Sequence, residues 1–101
     1  MNVIEINEIE FKDKIQTNKV LVDCFATWCG PCKMLGPIID EVASEIDSCS
    51  FYKLDVDNAP NISKEYGIMS IPTLLLFQDG KLIKQNVGFV SKEDLIKFIS
   101  E

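Results

Sequence analysis

The hydrophobic positions along this chain alternate between two periodicities. Short segments that are almost wholly apolar are typical of strands covered on both faces, whereas apolar residues at helical spacing are typical of amphipathic helices. The first kind predicts strands at Val3–Ile6, Val20–Ala26 and Phe51–Val56. The second kind predicts three helices. The first is Glu8–Gln16, with Ile9, Phe11 and Ile15, and the third is the short segment Asn61–Tyr66 before Gly67. The second is a long helix whose apolar residues are Leu35, Ile38, Ile39, Val42 and Ile46. We expect Pro37 to kink the long helix, since its ring displaces a backbone hydrogen bond.

The last third of the chain has a different pattern, with two strand segments in succession. Thr73–Gln78 and Lys81–Val87 flank Asp79-Gly80, and a two-residue Asp-Gly loop favours an antiparallel hairpin with a type I′ turn. Ser91 is then placed to cap a final helix. The core-facing residues of that helix are Leu95, Ile96, Phe98 and Ile99. The order βαβαβα followed by ββα predicts an α/β fold in which the first strands are parallel, the hairpin extends the sheet, and helices cover both faces.

Length and composition fit one domain and exclude several functions. The 101 residues are 47% hydrophobic and 26% charged, so we expect a single globular domain over residues 1–101. Our expectation for its assembly state is a monomer. Ten basic and sixteen acidic side chains give a net charge of −6, which disfavours nucleic acid as a partner. Histidine is absent, which excludes the catalytic mechanisms and metal sites that depend on it.

The beginning of the chain and its cysteine content bear on its location. The residues after Met1 lack the basic region and long apolar run of a signal peptide, and no segment has the roughly 20 apolar residues of a membrane span. We therefore expect a cytoplasmic protein with no membrane partner. In such a reducing compartment, the cysteines Cys24, Cys29, Cys32 and Cys49 indicate redox catalysis or metal binding rather than a structural disulfide framework.

The segment Trp28-Cys29-Gly30-Pro31-Cys32-Lys33 carries the most informative chemistry. It follows a buried strand and opens the long helix, and sites in α/β sheets form at the carboxyl ends of strands. The free N–H groups and partial positive charge of the helix N-terminus stabilise a thiolate there. Residues three apart on a helix lie close enough for a disulfide to form and open with a small adjustment. Cys29 can therefore attack a disulfide of a partner, and Cys32 can displace it from the mixed disulfide.

Other functions remain for these cysteines. Cys24-x4-Cys29-x2-Cys32, with Cys49 later, resembles the start of a ferredoxin cysteine pattern, but Cys24 lies inside an apolar strand rather than in an irregular ligand loop. A zinc site of four cysteines lacks its second Cys-x2-Cys pair. We interpret Cys24 and Cys49 as small buried hydrophobic residues, although Cys49, between two serines, could be an accessible regulatory thiol. A binding module without redox turnover is a further alternative.

A set of short motifs spans most of the chain: Val22-Asp23, Ala26, Trp28 to Lys33, Pro37, Tyr66-Gly67-Ile68, Ile71-Pro72-Thr73 and Gly88. With these residues in this order, the chain resembles the thioredoxin family. The resemblance implies the thioredoxin fold, with a five-stranded mixed sheet flanked by four helices, and reduction of disulfides in client proteins. It also implies that a thioredoxin reductase supplies the electrons, from NADPH through its own flavin, so that this chain binds no cofactor.

The resemblance also implies roles for individual residues. Cys29 would be the nucleophile, Cys32 the buried resolving thiol, and Asp23 a buried aspartate that assists proton transfer at Cys32. An isolated carboxyl in an apolar strand should have a raised pKa, which supports this role. Lys53 matches the lysine that partners the aspartate, or is simply a surface charge. The chain retains both cysteines, Asp23 and Pro72, which favours turnover over a binding module.

A docking surface for clients is implied next to the cysteines. Pro72 matches a cis-proline that would leave the backbone of Ile71 free to pair with an extended client segment. The implied surface comprises Trp28, Gly30, Pro31, Ile71, Pro72 and Gly88, with Val87 and Phe89 beside them. Val87 and Phe89 could instead be core residues at a strand end. Cys24 and Phe25 depart from the pair of aromatic residues usual in the family, which affects packing rather than chemistry.

Overall fold

The computed structural model describes residues 2–101, which form a mixed sheet with helices on both faces. Its strands are β1 (Ile4–Ile6), β2 (Lys19–Phe25), β3 (Ser50–Asp55), β4 (Thr73–Gln78) and β5 (Lys81–Val87). Its α-helices are α1 (Glu8–Lys14), α2 (Gly30–Glu45), α3 (Pro60–Glu65) and α4 (Lys92–Ser100), and a 3-10 helix occupies Val56–Asn58. The predicted fold class is confirmed.

The strands lie in the order β1-β3-β2-β4-β5, which places β2 at the centre. β2 pairs with β3 in parallel and with β4 antiparallel, and β1 pairs with β3 in parallel. The hairpin is also confirmed: Asp79 and Gly80 have φ values of 52° and 86°, and positive φ at both central positions defines a type I′ turn. A register shift between Leu76 and Phe77 was not predicted.

Strict alternation along β2 divides the core into two clusters. Val20, Val22 and Cys24 pack on one face against residues of α1 and α3, among them Phe11 and Ile62. Leu21 packs on the opposite face, in a cluster with residues of α2 and α4. Asp23 lies two residues after Leu21, and side chains two residues apart on a strand point to the same face. The Asp23 carboxyl therefore lies on the α2 side of the sheet.

Three hydrogen-bonded groups fix where the helices begin. Asn7 and Glu10 form a capping box at α1, and the Ser91 hydroxyl accepts the N–H of Asp94 at 3.1 Å, as predicted for the last helix. The carboxylate of Glu8 accepts the N–H of Ile62 at 2.8 Å, which satisfies a free donor in the first turn of α3.

Several predictions on helices differ from the structure in detail. Ile9 is 91% exposed, because the buried face of α1 is formed by Phe11. Pro37 lies inside α2, which extends from Gly30 to Glu45, and the kink expected at this residue stays a prediction. Ile96 and Phe98 are only half-buried at the edge of the α2–α4 cluster. Within residues 2–101, the helices are too short or too polar for any of them to cross a membrane.

Candidate active site

The site lies where the chain leaves β2 and enters α2. Cys29 is the N-cap residue of α2, and its Sγ accepts the backbone N–H of Cys32 at 3.2 Å. Pro31 lies in the first turn, where a missing N–H costs little. The prediction that Cys32 lies in the first helical turn is confirmed. An N–H donor and the positive end of the helix dipole therefore both act on the Cys29 sulfur.

Cys29 and Cys32 form a disulfide, with their Cα atoms 5.3 Å apart. Cys32 is buried, as the resemblance implied, but burial does not distinguish it from Cys29 in this form, since Cys29 is 4% and Cys32 6% exposed. Their surroundings differ instead. Cys29 adjoins the exposed residues Trp28 and Gly30, whereas Cys32 lines a cavity of about 250 Å³ on the α2 side of the sheet.

Asp23 lines the same cavity as Cys32 and is 4% exposed. Burial raises the pKa of this carboxyl from 3.8 to about 7; the positive charge of Lys53 opposes the rise and the negative charge of Asp40 adds to it. Oδ1 of Asp23 has no hydrogen-bond partner among residues 2–101. The raised pKa predicted from the apolar strand is confirmed, and the carboxyl is free to bond to water or to a thiol.

Lys53 also lines this cavity. It is the Cα partner of Asp23 in the β2–β3 register, which places both side chains on one face of the sheet. The part of the chain that the structure describes contains no ion pair between them. The Nζ atom of Lys53 instead lies 5.8 Å from the centroid of the Phe25 ring.

Of the predicted docking residues, Ile71 packs against the cluster that contains Cys29 and Cys32. Trp28 is 68% exposed and lines a groove of about 410 Å³ together with Ile71. The remaining residues of this groove, which we call the Trp28 groove, are Val56, Ser63, Ile68, Met69 and Ser70. The Ile71–Pro72 peptide is cis, as the resemblance implied.

Two details of the docking surface are corrected. Pro72 is buried and offers little surface itself; its carbonyl accepts the N–H of Gly88 at 2.8 Å, which joins the two backbone segments beside the disulfide. Val87 and Phe89 are 61% and 46% exposed, so the alternative that they are core residues is wrong. Gly30 and Pro31 are exposed, as expected.

The Thioredoxin family model matches residues 2–101. The chain belongs to the thioredoxin family. It is 45% identical to a thioredoxin of Chlamydia muridarum over 96 residues, which cover 95% of this chain and 94% of the relative. It is 51% identical to a thioredoxin of Mycoplasmoides gallisepticum over 90 residues, which cover 88% and 90%. The solved structure of a mutant thioredoxin from Halobacterium salinarum superposes with a TM-score of 0.90 at 32% identity, covering 97% of this chain and 88% of that one.

Family membership and the disulfide between Cys29 and Cys32 together establish the activity. The chain is a protein disulfide oxidoreductase of the thioredoxin type, which reduces disulfides in client proteins by dithiol–disulfide exchange at this pair. A thioredoxin of this kind works with disulfide-containing clients and with a reductase that restores the dithiol.

The other two cysteines of this thioredoxin lie on opposite faces of the sheet. Cys24 belongs to the α1–α3 cluster and Cys49 to the α2–α4 cluster, so the ferredoxin-like and zinc arrangements are not formed. Burial raises the pKa of the Cys24 thiol far above its ordinary value. The possibility of an accessible Cys49 is wrong: the residue is 2% exposed, and burial raises the pKa of its thiol to about 11.

Sequence reasoning missed two residues beside Trp28. Met69 is 94% exposed in the Trp28 groove, and an apolar residue between Gly67 and Pro72 in a loop was a signal that could have identified it. Asp57 accepts a hydrogen bond from Nε1 of Trp28 at 2.8 Å. Nothing in the sequence pairs Asp57 with Trp28, because the contact depends on how the 3-10 helix packs.

We expect Asp57→Ala, which removes the acceptor, to loosen the Trp28 indole and weaken client docking. A net hydrogen-bond contribution of about 0.5 to 1 kcal/mol corresponds to a rise in the KM for insulin of about two- to fivefold. Reduction of a small dialkyl disulfide should not change, since such a substrate does not fill the groove. The emission of Trp28, the single tryptophan of the chain, reports the loosening directly. The matched control is Asp47→Ala, which removes an exposed carboxylate elsewhere, and an equal effect of Asp57→Ala on both substrates would contradict the docking role.

Proposed function

We propose that Cys29 and Cys32 have separate roles in two exchange steps. The Cys29 thiolate attacks one sulfur of the client disulfide, forms a mixed disulfide and releases one client thiolate. The Cys32 thiol then loses its proton and attacks the Cys29 sulfur, which closes the Cys29–Cys32 disulfide and releases the second client thiolate. Two electrons pass from the site dithiol to the client. The helix N-cap position of Cys29, whose Sγ accepts the N–H of Cys32, supports its role as the attacking thiolate.

Asp23 is the proton acceptor for Cys32 in this proposal. The observation that carries it is the buried Oδ1 without a partner in the described residues, in the cavity that Cys32 also lines. A cavity of about 250 Å³ with charged side chains in its lining has room for water that can carry the proton. A carboxyl whose pKa is about 7 can take and return a proton near neutral pH. Lys53 assists by keeping that pKa from rising further.

Clients bind, in this proposal, across the face formed by Trp28, Gly30, Pro31, Ile71 and Gly88. Trp28, Gly30 and Pro31 adjoin the two cysteines in the chain, and Ile71 packs against the cysteine cluster, so an extended client segment that lies on this face brings its own disulfide to Cys29. Pro72 acts through the backbone, since its side chain is buried. The exposed Val87 and Phe89 extend the same surface.

The partners and the setting follow from the same family. We propose that a flavin-containing thioredoxin reductase restores the dithiol with electrons from NADPH, and that this chain works as a cytoplasmic monomer without a bound cofactor. Two free buried thiols, Cys24 and Cys49, suit a reducing compartment. The radius of gyration of 12.1 Å supports one domain over the whole chain, for which about 13 Å is expected at this length.

Asp23→Asn tests the assignment of the proton acceptor. We expect insulin reduction at about pH 7 to slow by about tenfold, toward the low end of general-base effects because a thiol also loses its proton to water. Wild-type turnover should rise with pH around 7, where the Asp23 carboxyl ionises, and the variant should keep only the part of this rise that ionisation of the Cys29 thiol contributes. The measurement is NADPH oxidation with excess thioredoxin reductase, at pH values between about 5 and about 9.

The matched control is Asp13→Asn, which removes an exposed carboxylate on α1. Its pH profile should coincide with that of the wild type. If Asp23→Asn gave the same rate and profile as the wild type, Asp23 would have no part in proton transfer and the assignment would fail.

A further inference from the structure

Phe25 is a neighbour of two charged residues, Asp23 and Lys53, in the cavity that Cys32 also lines. It is the last residue of β2 and is half-buried. Its ring lines the cavity together with Asp23 and Lys53. Because the chain carries a phenylalanine here, the ring has no polar atom of its own to bond to either group, and it can act on them only through its faces and its volume.

The Lys53 ammonium is placed on this ring rather than on the carboxyl. Nζ lies 5.8 Å from the ring centroid, within the distance of about 6 Å at which a cation is attracted to an aromatic face. Lys53 is also the Cα partner of Asp23, and its stem is long enough to bring the ammonium toward that carboxyl. Yet Asp23 forms no ion pair within residues 2–101 and its Oδ1 has no partner.

The other groups around Asp23 do not account for this arrangement. From α2, Cys32 and Lys33 line the cavity, and Asp40 contributes a negative charge that disfavours the carboxylate. From β4, the partner of Asp23 is the apolar Leu74. On its own strand, Cys24 points to the opposite face and its thiol is protonated. Phe25 is therefore the neighbour that offers the Lys53 ammonium an alternative position.

We propose that Phe25 is a positioning residue, whose ring holds the Lys53 ammonium away from the Asp23 carboxyl and so leaves that carboxyl free to exchange a proton with Cys32. The inference rests on the role proposed for Asp23. Lys53 then acts on Asp23 through its charge at a distance, and a direct ion pair, which would keep the carboxyl ionised and occupied, is avoided.

Titration of Asp23 in the oxidised protein tests this directly, because Cys29 and Cys32 do not titrate while they form the disulfide. The probe is the carboxyl resonance of ¹³C-labelled aspartate, assigned by its loss in Asp23→Asn. We expect Phe25→Leu to lower the pKa of Asp23 by about one unit, since an opposite charge within ion-pair distance lowers a carboxyl pKa by at least about that much. Phe25→Trp, which restores an aromatic face, should return the pKa to within a few tenths of a unit of the wild-type value.

The Lys53→Met background separates the effect of the Phe25 ring on the position of Lys53 from its effect on hydration of the cavity. Loss of the ring could also hydrate the cavity and lower the same pKa without any part for Lys53. In Lys53→Met the substitution Phe25→Leu should therefore shift the pKa of Asp23 by less than about a third of a unit. An equal shift in both backgrounds, or no shift in either, would overturn the proposal. Thermal unfolding of each variant shows that the titrated protein is folded, and Phe25→Met, which also lacks an aromatic face, provides the same test if Phe25→Leu does not fold.

The same variants distinguish this inference from the proposed function. If Asp23 is the proton acceptor, the rise of turnover with pH in Phe25→Leu should move down by the amount that the titration shows. If Asp23→Asn leaves turnover unchanged, the proposed function fails, but a Lys53-dependent shift of the Asp23 titration would still support the positioning role of Phe25.

Discussion

Cys29→Ser should reduce insulin no faster than the uncatalysed reaction, a loss of at least about a thousandfold, as expected when a covalent nucleophile is removed. A serine hydroxyl at this helix N-cap can still accept the N–H of Cys32, so the helix should begin as it does in the wild type. What is lost is a sulfur that can ionise near neutral pH and attack a disulfide. The measurement is insulin precipitation with dithiothreitol as the electron source.

Cys32→Ser should fail at a different step. Cys29 can still attack the client, but no second thiol is available to release it, so the mixed disulfide should accumulate and be detected by mass spectrometry without reductant. Cys49→Ala, which removes a buried thiol distant from the site, is the control and should retain nearly full turnover. Accumulation of the mixed disulfide in Cys29→Ser rather than in Cys32→Ser would show that the two roles are reversed.

The second large effect that we expect is on the free energy of unfolding, which Asp23→Asn should increase at alkaline pH. Burial raises the folded-state pKa of Asp23 from 3.8 to about 7. Below about pH 4 the carboxyl is protonated in both the folded and the unfolded state, and the free energy of unfolding is not reduced by its ionisation. As the pH rises through about 7 this stability is lost, because the carboxyl ionises first in the unfolded state. At about 1.4 kcal/mol for each pKa unit, the penalty above about pH 8 is on the order of 4 kcal/mol.

We expect the variant to gain about 2 to 4 kcal/mol in free energy of unfolding at about pH 8, less than the full penalty because a buried amide without partners is itself unfavourable. The difference should shrink toward about pH 4. Urea unfolding of the oxidised proteins at both pH values measures it. A difference independent of pH would show that Asp23 is not a buried group with a raised pKa.

The sequence predicts those parts of the fold that local patterns determine. Asp79-Gly80 fixed the hairpin, since few residues accept positive φ at two successive positions. The pattern does not predict which face of α1 is buried. Ile9 and Phe11 are both apolar but lie on nearly opposite sides of a helix, and only packing on the sheet decides between them. The register shift between Leu76 and Phe77 could not be predicted, because β5 is largely exposed and its side chains do little to determine how it pairs with β4.

The same distinction applies to the site. Cys29 and Cys32 could be found from their spacing at the start of a helix, and Asp23 from the resemblance to the family together with its position in an apolar strand. The contact of Asp57 with Trp28, the exposure of Met69 in the groove and the position of Lys53 over Phe25 could not. They join residues that are far apart in the chain, and their geometry depends on side-chain conformations that no local pattern specifies.

The burial of Cys24 and Cys49 has a consequence for the order in which this protein folds and forms its disulfide. In the unfolded chain all four cysteines are exposed thiols of ordinary reactivity, and four thiols can pair in three ways. Once the sheet has formed, Cys24 is enclosed on one face and Cys49 on the other, and only one pairing is within reach. The sheet thus separates Cys24 from the other sulfur atoms, and burial encloses Cys49 within the α2–α4 cluster, so we expect correct pairing in this protein to depend on folding before oxidation rather than on oxidation guiding the fold.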